Sequence, residues 1–400
     1  MEYRGLYVNL SSVNPGVVKK TINISKALNS FDCVTFSLIE PGFKINHEVV
    51  DEHGLKKVKL SIYSSFKIQY LLQKSMLKYF PIGFIRSWMF KKMFFKSLLK
   101  YQLINNIDII IIRYPFASLP LYNFLKISTS KVFLEFNTFE LEEFKAQSKY
   151  FYLKSKYFLE LILRKNILRA AKGFFGVTDE IINYQKKFSK ISDKPTFLLS
   201  NGVQYDYIIS NTHKKKDRIN FVILVGEEQP WHGIDRLILS LKRFPLKENS
   251  RFYIIGKLSK SSENLIRNAL IKNVSFDILD SLTFSQIKEL FKKIHVGISS
   301  LCLFKNSMNE ASPLKVRDFA LNGLPILLAY LDTDFSSNEK LEKFTFQVEN
   351  NDSPINFNLV VSWYKKFNEH SLFEFQKNSL EILSYKNKLQ PFISYLKKSQ

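Results

Sequence analysis

The chain has 400 residues, 46% of them hydrophobic, and a formal net charge of +23. This length suits two domains, and the apolar fraction excludes an intrinsically disordered protein. The two cysteines, Cys33 and Cys302, exclude a disulfide scaffold, and the excess of positive charge indicates an anionic partner: a phosphate-bearing ligand, a nucleic acid or an acidic membrane surface.

The first half of the chain alternates short apolar runs with longer helical stretches. The runs are rich in β-branched and aromatic residues, and many of them are continuous rather than alternating, which is typical of parallel strands buried on both faces. They predict strands at 6–9, 107–113, 132–136, 174–177 and 196–199.

A basic, aromatic-rich segment, FIRSWMFKKMFFKSLLKYQL, occupies 84–103. Lys92, Lys96 and Lys100 repeat every four residues, as on one face of a helix. Two interpretations stay open: a helix on an anionic membrane surface, or a core-packed helix with a solvated lysine stripe. We see no transmembrane run and no signal peptide, so we expect a cytoplasmic protein, which is peripheral at the inner membrane face under the first interpretation.

The polar and basic stretch SNTHKKKDRIN (210–220) separates these elements from a second series. That series predicts strands at 221–225, 252–255, 274–278, 296–299, 326–329 and 344–348. Strands that alternate with helices predict doubly wound α/β domains. We therefore expect a Rossmann-like domain over 1–207, a linker over 208–220, and a second Rossmann-like domain with terminal helices over 221–400, facing each other across a ligand cleft.

Common site signatures are missing from the sequence. Neither the Gly-x-Gly-x-x-Gly fingerprint nor a P-loop occurs. His47 and His53 flank two acidic residues, but no further histidine or cysteine completes a zinc site, so we expect no metal there. Asp332 and Asp334 form an Asp-x-Asp pair, which either holds a divalent ion against a diphosphate or lies in a solvated loop; we expect the loop.

The stretch EASPLKVRDFALNGLPILLA (310–329) carries the strongest signal of a ligand site. Ser312 fits an N-cap and Pro313 the first position of a helix, whose amides and dipole favour a bound phosphate. Lys315 in the first turn fits an anion site. Glu310 before the helix and Asp318, about 9 Å along it, are suited to accept sugar hydroxyls. The alternative is an ordinary surface helix with scattered charges.

This stretch resembles the Glu-x7-Glu signature of family 4 of the GT-B glycosyltransferases, with Asp318 in place of the second glutamate. Further segments are similar to motifs of that family in the same order: NPGVVKKTINISKAL (14–28), LLSNGVQYD (198–206), ILVGEEQPWHGIDRLILSL (223–241) and FYIIG (252–256). Three others resemble the subgroup found in bacterial surface-polysaccharide clusters, such as those for capsule and O-antigen: RYPFASLP (113–120), EFNTFELEEF (135–144) and GFFGVTDEI (173–181).

The resemblance implies a retaining, metal-independent transfer of a sugar from a UDP- or GDP-linked donor, with no cofactor and no nucleic acid partner. A lipid-linked saccharide is the expected acceptor. By resemblance, Glu310 accepts hydrogen bonds from the transferred sugar and Asp318 holds the ribose. The residues expected around the donor diphosphate are Gly16, Gly226, His232, Ser312, Pro313, Leu314 and Lys315. The acceptor-side candidates are Glu135, Asn137 and Glu140, although Glu135 is equally suited to be a buried partner of Arg113.

Two positions depart from the family pattern. Glu227 and His232 stand where the family commonly has an arginine and a lysine that neutralise the leaving diphosphate. Other groups must then meet that charge, and the candidates are Lys315, Arg317 or a protonated His232. The departures leave two alternatives open: a degenerate, non-catalytic GT-B scaffold, and a basic nucleic-acid-binding protein, although no zinc finger, RNP-like run or helix-turn-helix is recognisable.

Overall fold

The computed structural model describes residues 2–10, 15–42, 47–50, 55–61, 82–146, 151–203 and 218–399. These residues form two compact units. The first consists of Met1–Leu199 together with Lys388–Gln400, and the second of Ser200–Asn387. Most of the predicted linker lies outside the described residues, and so do His53 and the side chain of His47, where no metal was expected.

In the described part of the first unit, eight strands form one sheet. Its order is β3-β4-β2-β1-β5-β6-β7-β8, and every pair is parallel except the edge pair β3 and β4. β1 pairs with β2 on one side and with β5 on the other, so the strand order changes direction at β1, and the carboxyl end of such a strand is the point at which an α/β sheet commonly binds ligands. The strands are β1 (Tyr3–Val8), β2 (Val34–Gly42), β3 (His47–Val50), β4 (Lys56–Ser61), β5 (Ile109–Arg113), β6 (Lys131–Phe136), β7 (Gly173–Gly176) and β8 (Thr196–Leu198).

Helices connect these strands, as expected for a parallel sheet. They are α1 (Pro15–Leu28), α2 (Ile82–Ile104), α3 (Leu119–Ile127), α4 (Glu140–Ala146), α5 (Phe151–Ala170) and α6 (Asp179–Ser189). Within the described part of the chain, no helix combines the length and the hydropathy needed to cross a bilayer.

The second unit contains a six-stranded parallel sheet in the order β11-β10-β9-β12-β14-β16, and a short parallel pair, β13 and β15. Its strands are β9 (Ile219–Glu227), β10 (Ser250–Lys257), β11 (Val274–Leu279), β12 (Val296–Ile298), β13 (Glu310–Ala311), β14 (Ile326–Leu328), β15 (Leu331–Asp332) and β16 (Thr345–Gln347). Its helices are α7 (Ile234–Arg243), α8 (Lys260–Arg267), α9 (Phe284–Phe291), α10 (Leu314–Leu321), α11 (Glu339–Glu342), α12 (Phe357–Tyr364) and α13 (Glu369–Ile382).

The last helix, α14 (Tyr385–Lys398), differs from the sequence-based assignment. The sequence placed all terminal helices in the second domain, whereas most of α14 packs in the first unit. The Phe392 ring lies 5.2 Å from the ring of Phe133, 5.0 Å from that of Phe175 and 5.2 Å from that of Phe197, between ring centroids. Burial of this aromatic side chain, rather than the order of the chain, decides where the helix belongs.

The α/β class predicted from the sequence is confirmed. Every predicted strand is present, with its ends shifted by at most three residues. The four isoleucines Ile109–Ile112 of β5 are fully buried, as the continuous apolar run of this strand predicts. The sequence missed β2, β3, β4 and the short pair β13 and β15.

Candidate functional site

The loop before α10 differs by one residue from the predicted capping. Pro313 is the N-cap, with extended backbone angles (φ −73, ψ 142), and the helix begins at Leu314. The Val316 N–H donates to the Pro313 carbonyl over 3.2 Å. The N–H groups of Leu314 and Lys315 therefore lie at the open, electropositive end of the helix, the place where helices bind phosphates.

Ser312 fixes this loop through Asn201 instead of capping the helix. The Ser312 hydroxyl is buried and accepts a 2.8 Å hydrogen bond from the Asn201 N–H, and the Asn201 amide group donates to the Ser312 carbonyl. The Arg317 Nε in turn donates to the Asn201 carbonyl over 2.7 Å. Asn201 and the loop before α10, more than 100 positions apart in sequence, are thus joined by hydrogen bonds.

Arg317 is the centre of a buried ionic cluster beneath the helix start. Its side chain is 1% exposed and forms a 2.5 Å ion pair with Asp332 and a second pair with Asp334. Burial opposes its charge, but the two carboxylates outweigh that effect and raise the pKa of Arg317 above its usual value. Ser200 donates to Asp334 over 2.8 Å.

This cluster corrects two interpretations of the sequence. Arg317 is not available to neutralise a diphosphate, because its three nitrogens all donate within the unit. Asp332 and Asp334 are the arginine's partners, and the loop that carries them is not solvated as expected, since Asp332 is 1% exposed. Across the described residues, no group of three histidine, cysteine or acidic side chains is arranged to hold a metal ion.

Lys315 and His232 meet at the carboxyl end of β9. The Lys315 ammonium donates to the Leu224 carbonyl over 2.9 Å, and burial lowers the pKa of Lys315 to about 8. His232 is 7% exposed, and burial together with the charge of Lys315 lowers its pKa to about 3.

His232 is therefore neutral, contrary to the interpretation of it as an imidazolium. Its Nδ1 accepts the Gln229 N–H over 3.0 Å, so the ring proton sits on Nε2. The side chain supplies a hydrogen-bond donor rather than a positive charge. The cation in this corner is Lys315, which is mostly protonated at pH 7.

Gly226 is the last residue but one of β9 and is exposed. Its φ is +60, a region that L side chains rarely adopt, and a Cβ built on it would meet no atom within 4 Å. Behind it, a Cβ on Gly256 would lie 2.5 Å from the Gly226 carbonyl oxygen. The two glycines let the strands approach closely on one side and leave room on the other. Glu227, next in the chain, is exposed.

Glu310 and Asp318 lie on opposite sides of the helix start along the chain. Glu310 is half-buried on β13, where it pairs with Leu331 of β15. Asp318 is half-buried on α10, four residues after Leu314, which is about 6 Å along the helix axis. Both acids belong to the second unit, together with Gly226, His232 and the residues 312–315. Their predicted contacts with sugar hydroxyls stay predictions.

The predicted acceptor-side residues lie in the first unit. Glu135 is fully buried at the end of β6, where it forms a 2.6 Å ion pair with Lys20 of α1 and accepts from the Tyr7 hydroxyl. Burial opposes ionisation, but Lys20 and Arg113 outweigh it and lower the pKa of Glu135. Lys20 also donates to the Asn137 side chain over 2.6 Å. The structure thus brings Glu135 and Asn137 together through a lysine that the sequence analysis missed.

Glu140 belongs to a different cluster. Its carboxylate forms a 2.6 Å ion pair with Arg164, which is fully buried and also donates to Gln185 over 3.0 Å. The predicted contact of Glu140 with an acceptor stays a prediction. Gly16, the last predicted donor contact, lies in the first turn of α1.

The sequence matches no protein-family model, and it matches no curated protein. Solved structures are similar over nearly the whole chain. Sucrose-phosphate synthase from Thermosynechococcus elongatus superposes with a TM-score of 0.67 at 11% identity, covering 100% of both chains. The lipopolysaccharide outer core galactosyltransferase WaaB, in its apo form, has a TM-score of 0.60 at 12% identity, covering 98% of this chain and 99% of its own.

Two further similar structures contain ligands. HepE from Anabaena, solved with UDP, has a TM-score of 0.60 at 11% identity and covers 99% of this chain and 100% of its own. UDP-GlcNAc 2-epimerase from Neisseria meningitidis, bound to UDP-GlcNAc, has a TM-score of 0.51 at 11% identity over the full length of both chains. The chain has the GT-B fold of glycosyltransferases, built from two Rossmann-like domains.

Proposed function

We propose that this protein is a nucleotide-sugar glycosyltransferase that uses a UDP- or GDP-linked donor. The observation that carries the proposal is the corner of the second unit formed by the start of α10, Lys315, His232 and the end of β9. It combines helix amides, one cation and one neutral donor, the groups that a diphosphate requires. The UDP and UDP-sugar in two similar structures support the same ligand class.

The proposed reaction breaks the bond between the anomeric carbon and the donor phosphate and forms a bond from that carbon to an acceptor hydroxyl. The electron pair of the broken bond goes to the leaving phosphate, and the hydroxyl proton is released as the new bond forms. Lys315, the Nε2–H of His232 and the helix amides would stabilise the charge on the leaving group. In this proposal Glu310 positions the transferred sugar and Asp318 the ribose. Retention of configuration without a metal is part of the proposal.

We propose a lipid-linked saccharide as the acceptor and surface-polysaccharide synthesis, such as capsule or O-antigen, as the setting. The sequence motifs of the first half support this choice. The outward face of α2 supports it too, since Trp88 and Met89 are 38% and 42% exposed and Lys92 lies 5.0 Å above the Trp88 ring. Such a face suits peripheral contact with an anionic membrane.

Isothermal titration calorimetry with UDP and GDP, followed by an assay for nucleotide release from their sugars, tests the proposal. We expect saturable binding of one nucleotide, loss of turnover in Glu310→Gln, and retained nucleotide binding in that variant. Glu339→Gln, an exposed acid on α11 of the same unit, is the matched control and should leave both unchanged. Equal turnover by Glu310→Gln and the control would refute the assigned role.

A non-catalytic GT-B scaffold is the second candidate, favoured by Glu227 and by the neutral state of His232. It predicts nucleotide binding without release of nucleotide from any sugar donor. Conversion of UDP-GlcNAc into its epimer, without transfer, would instead assign the epimerase class represented among the similar structures.

A further inference from the structure

The first unit contains a cavity of about 370 Å³ that the proposed donor site does not use. It lies between α2, the start of α3 and α5, and most of its lining side chains are apolar, among them Ile85, Trp88, Leu119 and Leu159. Its volume falls in the range of small-ligand pockets. Ile85 and Leu119 are 49% and 50% exposed, so the apolar wall continues onto the surface of the unit.

One end of this cavity contains a polar side chain that lacks a hydrogen-bond partner among the described residues. Ser118, which lines it, is 5% exposed, and its hydroxyl has no hydrogen-bond partner among the described residues. Ser118 is the N-cap of the nine-residue helix α3 but forms no side-chain capping bond. A buried hydroxyl without a partner destabilises the fold, and a ligand that forms a hydrogen bond to it removes that cost.

Two lysines add positive charge at the same end. Lys91 donates to the carbonyls of Pro115 and Phe116 over 2.5 and 3.2 Å, and Lys156 lies 5.7 Å above the Phe116 ring. Burial, followed by the charge of Lys156, lowers the pKa of Lys91 to about 8, so it stays mostly protonated at pH 7.

Glu160 is the acid whose charge acts on Lys91, but its effect on the Lys91 pKa is smaller than those of burial and of Lys156. Glu160 accepts the Ala117 N–H and the Tyr114 hydroxyl, and it lies 3.5 Å from Arg164, which also pairs with Glu140. The positive end of the α3 dipole reinforces the lysines, since the first N–H groups of a helix point out of its end. The cavity therefore joins an anion-binding end to an apolar body.

We propose that this cavity binds the phosphate and the first chain segment of an anionic lipid. The phosphate would sit at the start of α3 against Ser118, Lys91 and Lys156, and the hydrocarbon chain along Trp88, Leu119 and the exposed apolar face. The assignment of this lipid as the carrier of the sugar acceptor rests on the proposed glycosyltransferase function; the binding itself does not.

Calorimetric titration of the full chain with dodecyl phosphate, kept below its micelle concentration, tests this site. Dodecyl maltoside carries the same chain with a neutral head group, and inorganic phosphate lacks the chain. We expect saturable one-to-one binding of dodecyl phosphate, at least tenfold tighter than binding of either control. Equal binding of dodecyl maltoside, equal binding of inorganic phosphate, or no saturable binding of dodecyl phosphate would each overturn the proposal.

Leu119→Asp is the most informative variant. Leu119 is half-exposed at the first position of α3, where an acid is favourable to the helix, but its charge would repel a phosphate and make the apolar wall polar. We expect at least tenfold weaker dodecyl phosphate binding. Ile127→Asp, on the same helix and 59% exposed but about 12 Å further along, should bind as the parent does.

Lys156→Gln should weaken dodecyl phosphate binding in the same way without affecting dodecyl maltoside. UDP binding, measured in parallel on all three variants, separates the two proposals. In the parent chain, normal UDP binding with no dodecyl phosphate binding overturns the lipid site alone. In the parent chain, normal dodecyl phosphate binding without UDP or GDP binding overturns the proposed donor and leaves the lipid site standing.

Discussion

His232 and Lys315 differ in charge within the proposed donor corner. Burial keeps His232 neutral, so among the described residues of this corner the positive charge belongs to Lys315. A neutral imidazole donates only one hydrogen bond and carries no charge. Most of the electrostatic stabilisation of a diphosphate should therefore come from the lysine and the helix amides.

The affinity for UDP should therefore depend on pH through Lys315. The pKa of this lysine is about 8 in the unliganded protein, and a bound diphosphate favours the ammonium form and raises it. Binding is then strongest below pH 8 and weakens as pH rises, by up to tenfold per pH unit, until the raised pKa of the complex is reached. Calorimetry at several pH values between about 7.5 and 9.5 measures the slope.

Lys315→Gln provides the control for this pH dependence. The variant should bind UDP more weakly near neutral pH and with little change across the same range, because its amide does not titrate. A slope that survives in Lys315→Gln would assign the effect to another group.

At the scale of the element, α10 depends on the ion cluster around Arg317. Arg317→Met should lower the free energy of unfolding by about 3–5 kcal/mol, because it leaves Asp332 and part-buried Asp334 without their cation. Chemical denaturation of the variant measures the loss. Asp332→Asn in the same chain should recover part of it by removing the uncompensated charge.

An exposed ion pair of the same unit is the matched control. Lys343 and Glu374 are each about half-exposed and 3.5 Å apart, so Lys343→Met should change the free energy of unfolding by at most about 1 kcal/mol. Equal effects of the two substitutions would contradict the structural role of Arg317. UDP binding by Arg317→Met should fall as well, since Ser312 and Asn201 lose their shared support.

The sequence predicts the elements better than the contacts between them. The continuous apolar run of β5 identifies a buried strand by itself. By contrast, β4 alternates lysines with buried Val58 and Leu60, and a search for continuous apolar runs passes over it. A count of period-two alternation would have found this strand.

The sequence likewise predicts some residues of the candidate site but not their ionic partners. The helix start and its acids follow local rules of capping and charge, so the sequence locates Lys315 and Asp318. The ionic partners follow no such local rule, because Arg164 pairs with Glu140 across 24 positions of sequence and Arg317 pairs with Asp332 across 15. No spacing rule distinguishes an acid held in such an ion pair from one that binds a ligand.

At the scale of the whole molecule, the first unit should depend on the end of the chain. Phe392 of α14 is 1% exposed and packs among three aromatic rings of the first sheet. Phe392→Ala should lower the free energy of unfolding by about 3–5 kcal/mol, as measured by denaturation of the full chain. Phe373→Ala, on α13 and 52% exposed, is the control and should cost less than about 1 kcal/mol. Equal losses would show that α14 does not complete the first core.

The position of α14 also bears on the order in which the protein is made. Domains commonly fold as they leave the ribosome, the amino-terminal one first. Here the last residues of the chain belong to the first unit, so that unit cannot finish its core while the second is being translated. Its aromatic patch around Phe133 and Phe197 stays uncovered through the synthesis of the intervening residues, and nascent chains stalled before residue 388 should be the ones that chaperones retain.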